Sequence, residues 1–286
     1  MRARRHTERT GQQRRPPLGQ HFIADAHLRE KIFGLLRGRA QDCWLEIGAG
    51  HGEMTVALAA ASRAVTAVER DPKLAETLRE RLGGLPGARV VEADILAVSP
   101  ANLVKEISCP RLRVYGSLPF YITSPILRHL FAALEAIEDI HVVVQHEVAQ
   151  RLAAHPGGRD YGYLSVLTQF HATPEVLLHI PRGAFRPVPQ VDSALVRLTP
   201  PGKQPALGVA SREEFLRFVS TCFRQKRKTL RNNLATWLPV AAIEKALVEM
   251  GLDVRARAEE LGIEDFARVF GTLRQPGTLV VGREAP

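Results

Sequence analysis

Between residues 27 and 200, short apolar runs that read as strands alternate with segments whose apolar residues recur at helical spacing. HLREKIFGLL (27–36) predicts a helix, and CWLEIGAGHGEMTVALAAA (43–61) predicts a strand, a glycine-rich turn and a helix. AVTAVERDPKLAETLRERL (64–82) repeats that order, with Pro72 where a first helical turn tolerates it. ARVVEADIL (88–96) reads as strand then loop, and LRVYGSLPF (112–120) as a strand ending in a rigid tetrapeptide. ILRHLFAAL (126–134) reads as helix, IHVVVQ (140–145) as strand and EVAQRLAA (147–154) as helix. VDSALVRLTP (191–200) alternates like a half-buried strand and closes the region. Strands separated by helices of about 10–15 residues predict a parallel sheet covered on both faces.

PPGKQPALG (200–208) carries three prolines and two glycines and reads as a linker. Beyond it the pattern is helical: REEFLRFVSTCFRQKRKTLRNNLATWL (212–238), AAIEKALVEMG (241–251) and IEDFARVFGTL (263–273). The expected organisation is a basic flexible arm over 1–17, an α/β domain over 18–202 and a small helical domain over 203–286.

Charge changes this picture first. A net charge of +9 favours polyanions, nucleic acid or an anionic membrane surface, although an Arg-rich proteome gives the same total. No apolar run approaches the ~18 residues of a membrane span. The first 17 residues hold six Arg and one Glu with no apolar core, unlike a secretory signal and like an arm that touches nucleic acid. Cys43, Cys109 and Cys222 are odd in number and far apart, which argues against a disulfide framework or a metal site and suits a reducing cytoplasm.

The strand ends carry the chemistry. Gly48, Gly50 and Gly52 follow the first strand, where glycine permits a sharp turn and close approach of a ligand to the backbone. Glu69 lies 21 residues after Gly48 at the end of the second strand, where a carboxylate can accept ribose hydroxyls, and Asp94 ends the third. The order Gly, Glu, Asp points to a nucleoside cofactor. A dinucleotide would expect G-x-G-x-x-G; the G-x-G-x-G found here leans toward S-adenosylmethionine. At the fourth strand end, Ser117 Oγ and the Leu118 carbonyl offer two hydrogen-bond acceptors, Pro119 rigidity and Phe120 a stacking face. That set suits an exocyclic adenine amine, whose delocalised lone pair must be held toward a methyl donor. A turn followed by a core Phe explains an isolated tetrapeptide equally well.

In the third region, Arg217, Arg224, Lys228 and Arg231 would share one face of a continuous helix within roughly 60° at ~100° per residue. Six basic residues and no acidic one fall between 217 and 231. Arg227 joins this set as a phosphate contact; Lys226 lies off the stripe.

The sequence resembles the KsgA/RsmA family of small-subunit rRNA adenine N6,N6-dimethyltransferases over nearly its whole length. The resemblance is carried by GQHFIAD (19–25), LEIGAGHGEMT (45–55), VERDP (68–72), EADIL (92–96), GSLPFYITSPIL (116–127), QHEVAQRL (145–152), YGYLSVLTQ (161–169), FRPVPQVDSALVRL (185–198) and FRQKRKTLRNNL (223–234). It implies a class I methyltransferase, Rossmann-like sheet with a reversed last strand, a small C-terminal helical domain and S-adenosyl-L-methionine as donor. It further implies a cytoplasmic monomer that dimethylates two adjacent adenosines in the 3′-terminal hairpin loop of 16S rRNA as the 30S subunit matures.

Carried over by position, His21 and Ile23 cover the donor. Gly48 and Gly50 form its turn, Glu69 meets its ribose and Asp94 its adenine, and Ser117 also touches the donor, while Ser117, Leu118, Pro119 and Phe120 act on the target base. Phe185 is a second face for the base or a core residue. No metal is implied. The family's asparagines at 21 and 117 are His and Ser here, which keeps a catalytically weakened ribosome-assembly factor as one alternative. A 23S rRNA methyltransferase of the macrolide-resistance type is another.

Overall fold

The computed structural model describes residues 21–274. The expected basic arm and the end of the expected helical domain lie outside the described residues. In chain order the elements are β1 (Phe22–Ile23), α1 (Ala26–Leu36), β2 (Cys43–Ile47), α2 (Glu53–Ala61), β3 (Ala64–Glu69), α3 (Pro72–Leu82), β4 (Ala88–Glu92), α4 (Pro100–Glu106), β5 (Leu112–Ser117), α5 (Thr123–Phe131), β6 (Ile137–Gln145), α6 (His146–Ala153) and α7 (Tyr163–His171). They continue with β7 (Thr173–Ile180), β8 (Phe185–Arg186), β9 (Ser193–Thr199), α8 (Gln204–Leu207), α9 (Arg212–Cys222), α10 (Leu230–Leu234), α11 (Val240–Glu249) and α12 (Ile263–Leu273).

Local chemistry sets the helix starts. Asp25 accepts from Leu28 N ahead of α1. Asp71 accepts from Lys73 N and Leu74 N, with Pro72 supplying a first-turn residue that has no N–H to lose. Ser99, Ser211 and Thr229 cap α4, α9 and α10 in the same way.

Seven strands form one sheet in the order β4-β3-β2-β5-β6-β9-β7. β2 to β6 run parallel, and β9 is antiparallel to both of its neighbours, giving the reversed last strand. Alternation along the strands feeds two cores. Cys43, Leu45, Ile47, Val142 and Val196 face one, and Trp44, Val65, Tyr115, Val143 and Leu195 face the other. The parallel order brings the ends of β2, β3, β4 and β5 to one edge, and the reversal of β9 brings its start, Ser193, to that same edge. A ribbon of β1 and β8 crosses there, with Phe22 opposite Arg186 and Ile23 opposite Phe185.

Three expectations are corrected. The helix expected over 212–238 is broken: α9 stops at Cys222 and α10 starts at Leu230. Asn233 enforces the stop, its Nδ2 donating to the carbonyls of Cys222 and Gln225 and its Oδ1 accepting from Gln225 N, while Thr229 opens the next helix. The linker read over 200–208 contains α8 and is tethered, with Gly202 N donating to His171 O and Lys203 N to Gln169 O. Cys43 and Cys109, unpromising by spacing, are disulfide-bonded, because parallel β2 and β5 are neighbours and begin at the same sheet edge.

The C-terminal helices share a core built on phenylalanines 215, 218, 266 and 270, into which Val166 and Phe170 of α7 also pack. At the sheet edge opposite the strand ends just described, Arg113 is buried beneath the Trp44 ring and binds Asp42 at 2.8 Å and Asp139 at 2.7 Å.

Candidate active site

The turn after β2 holds Gly48 at φ 69° and Gly50 at φ 57°, both left-handed. At Gly50 a Cβ would stand 2.5 Å from Phe22 Cε1, so only glycine fits beneath the β1 segment. Gly50 N donates to Glu69 Oε2 at 2.9 Å and Asp71 N to Oε1 at 2.8 Å. Two backbone donors thus fix the carboxylate at the end of β3, each oxygen retaining lone pairs for further donors. Asp94, after β4, accepts from Leu96 N at 3.0 Å and lies 3.5 Å from Arg70. A left-handed glycine turn, an oriented carboxylate and a second carboxylate one strand further fit the nucleoside portion of S-adenosylmethionine.

The clamp stands at the next strand end. Leu118 N donates to Val143 O at 3.0 Å, and Pro119 O accepts from Ile122 N and Thr123 Oγ1, each at 3.2 Å. Ser117 Oγ and the Leu118 carbonyl accept no hydrogen bond among the described residues. Phe120 is half-buried and stacks on His21, with centroids 5.9 Å apart and planes at 24°. His21 Nδ1 donates to Pro187 O at 2.7 Å, tying the β1 segment to the loop after β8.

His21, Ile23, Gly48, Glu69, Asp94, Ser117, Leu118, Pro119 and Phe120 line a single cavity, and Phe185 lines it while also packing in the core. Gly50 sits behind the wall, acting through Glu69. Sequence reasoning missed Glu46, Tyr115, Val143 and Ser193, which also line the cavity. Glu46 carried a signal, a carboxylate inside the buried run Cys43–Ile47. Burial pushes its carboxyl up to about 8, with the charges of Glu53 and Glu69 adding to the shift. Its Oε2 has no partner among the described residues. Burial likewise pushes the Tyr115 phenol up.

The basic stripe does not survive as a helical face. Arg217 pairs with Glu213 and Arg231 with Glu244 at 2.6 Å. Arg224, Arg227 and Lys228 are exposed together in the turn between α9 and α10, without an ion-pair partner among the described residues. Lys226 donates to Arg159 O across to the loop before α7. No cluster of His, Cys, Asp or Glu able to hold a metal occurs among the described residues.

Residues 11–275 match the ribosomal RNA adenine dimethylase family. A protein of Acidobacterium capsulatum named ribosomal RNA small subunit methyltransferase A is 42% identical over 260 residues, covering 91% of each chain. The protein of that name from Moorella thermoacetica is 39% identical over 263 residues, covering 90% of this chain and 91% of its own. Among solved structures, the 23S rRNA methyltransferase ErmE is 32% identical with a TM-score of 0.67, covering 89% of this chain and 100% of its own. A dimethyladenosine transferase from Plasmodium falciparum, 21% identical with a TM-score of 0.76, covers 90% of this chain and 98% of its own and shares the fold.

Proposed function

The chain belongs to the ribosomal RNA adenine dimethylase family, and from that premise we propose that it transfers methyl groups from S-adenosyl-L-methionine to N6 of two adjacent adenosines in the 3′-terminal hairpin loop of 16S rRNA, within the maturing 30S subunit. One observation carries this reading. Two unpaired acceptors, Ser117 Oγ and Leu118 O, stand beside the Phe120 ring in the same cavity as Glu69 and Asp94.

When bound, S-adenosylmethionine supplies an electrophilic methyl on a sulfonium. The chain's residues orient the amine that receives it. Ser117 Oγ and Leu118 O accept hydrogen bonds from the two N6–H groups and turn the nitrogen lone pair away from the ring. Phe120 fixes the base plane by stacking. Glu69 and Asp94 hold the cofactor's nucleoside. The helices α8 to α12 serve as the RNA-binding domain, with Arg224, Arg227 and Lys228 on rRNA phosphates. The protein works as a monomer in the cytoplasm, and no helix among the described residues is long and apolar enough to cross a membrane.

The likeness to ErmE makes 23S rRNA the competing substrate. The curated relatives of 35–42% identity, all named for the small subunit, favour 16S rRNA. Transfer of labelled methyl to unmethylated 30S and 50S subunits, with digested RNA resolved by mass, tests the reading. Dimethyladenosine in 16S rRNA is the expected product. Label only in 23S rRNA, or none in either, overturns it.

A further inference from the structure

A second cavity, of about 490 Å³, shares no lining residue with the one described above. It lies between α6, the loop from α6 to α7 and the turn from α9 to α10. Lys226 Nζ donates to Arg159 O at 3.1 Å, and Tyr161 packs edge-on against Phe223 with centroids 6.0 Å apart. These contacts hold the loop and the turn at a fixed separation, and the volume between them suits a nucleotide-sized ligand.

Charge decides what such a cleft accepts. Arg151, Arg159 and Lys226 line it against Glu147 and Asp160, and Glu147 is already paired with Arg151. Arg159 is exposed, and its guanidinium has no partner among the described residues. Lys226 keeps two N–H donors beyond the one it gives to Arg159 O. Residues 163–165, the first turn of α7, also line the cleft, and Gly162 gives that helix no side-chain cap. The first N–H groups of α7 have no carbonyl within the helix to donate to, and a helix start of this kind favours an anion. Arg224, Arg227 and Lys228 are exposed in the same turn as Lys226, so the positive charge continues out of the cleft. A lone anion would need only the cleft; a charge run that continues beyond it suits a phosphodiester strand.

We propose that this cleft is a second RNA subsite, in which Arg159, Lys226 and the first turn of α7 hold a backbone phosphate of the rRNA strand that crosses the turn between α9 and α10. This rests on the functional reading above and deepens it. The exposed cations of the turn reach RNA from the helical domain alone, whereas Arg159 and α7 belong to the part of the chain that carries the Ser117–Phe120 clamp. A phosphate held from both sides positions the strand relative to that clamp without reading its sequence.

Gly162 supplies the test. Its φ of −174° is open to any residue, and a Cβ there would meet nothing within 4 Å. Gly162→Asp adds a carboxylate at the cleft while giving α7 a better cap than glycine, so its melting temperature should not fall. Gly162→Asn has the same shape without the charge. In filter binding to unmethylated 30S subunits at low salt, Gly162→Asp should bind roughly tenfold more weakly and Gly162→Asn within about twofold of wild type. Arg159→Ala should weaken binding and lower the slope of log K against log salt by about 1, the mark of one phosphate contact. Arg159→Ala with Gly162→Asp should lose less than the product of the two single losses, because both act on one phosphate. Calorimetric affinity for S-adenosylmethionine should stay unchanged throughout. The inference is overturned if Gly162→Asp binds 30S subunits as tightly as wild type, or if Asn costs as much as Asp. An unchanged salt slope for Arg159→Ala, or strict additivity in the double variant, overturns it equally. Absence of dimethyladenosine from 16S rRNA treated with wild type would instead sink the functional reading itself.

Discussion

Gly50 N donates to Glu69 Oε2 across 2.9 Å, so the glycine turn and the carboxylate one strand away form one unit. Gly50 has φ 57°, and a Cβ there would overlap Phe22. Gly50→Ala therefore pushes the turn away from β1 and weakens the bond that aims Glu69. The expected outcome is a loss of at least tenfold in S-adenosylmethionine affinity, with about 1–3 kcal/mol of destabilisation from left-handed strain and overlap. Calorimetry and a melting curve check the two parts. Unchanged cofactor affinity would refute the linkage.

Ser117 offers one acceptor where the family has an asparagine. Ser117→Ala removes it and should reduce methyl transfer about tenfold. Ser117→Asn should match or exceed wild type. Phe120→Ala should cost more, roughly 10- to 100-fold in kcat/KM, because it loses base stacking and the His21 contact together. Single-turnover assays on 30S subunits measure all three. An Ala variant as fast as wild type would mean that Leu118 O alone orients the amine.

What the sequence made legible follows from the range of each interaction. The strands and helices read between 27 and 154 and over 191–200 were legible because burial on alternate faces writes itself into local periodicity, whereas α4, α7, β7 and β8 went unread. The glycine turn, Glu69, Asp94 and the Ser117–Phe120 clamp were readable because each sits at a strand end, and a parallel sheet gathers such ends on one edge. The break between α9 and α10 was not readable: no glycine or proline marks it within 223–229, and the stop comes from Asn233 reaching back to Cys222 and Gln225. Cys43–Cys109, Arg113 with Asp42 and Asp139, and Ser193 share this character. Each partner is placed by strand order, which local pattern does not encode.

Burial holds His141 down at about 4, against the pull of Asp139 Oδ1 at 3.6 Å, and neither ring nitrogen has a hydrogen-bond partner among the described residues. Between pH ~6.5 and ~4 the unfolded chain then binds a proton that the folded chain refuses. Stability should fall as pH drops through that window, by up to about 3 kcal/mol from this residue. His171, also held near 4 by burial, adds in the same direction. Asp42 adds its own loss lower on the scale: burial raises its carboxyl, but hydrogen bonds from Arg113 and Arg39 outweigh burial and hold it below the ordinary range. His141→Leu should flatten the slope of Tm against pH between 6.5 and 4. An unaltered slope would show that His141 does not titrate on unfolding.

Only part of the basic set seen in the sequence is available to a polyanion. Arg217 and Arg231 already hold Glu213 and Glu244, whereas Arg224, Arg227 and Lys228 stand exposed in the turn. Replacing those three with Ala should weaken 30S binding and lower the slope of log K against log salt by about 2–3, as loss of three phosphate contacts requires. Arg217→Ala should change the slope little, since a guanidinium held by Glu213 makes no phosphate contact to lose. Filter binding at several salt concentrations separates these cases. Equal slopes for wild type and the triple variant would place the RNA contacts elsewhere, and a large effect of Arg217→Ala would restore the continuous basic face that the break at Cys222 removes.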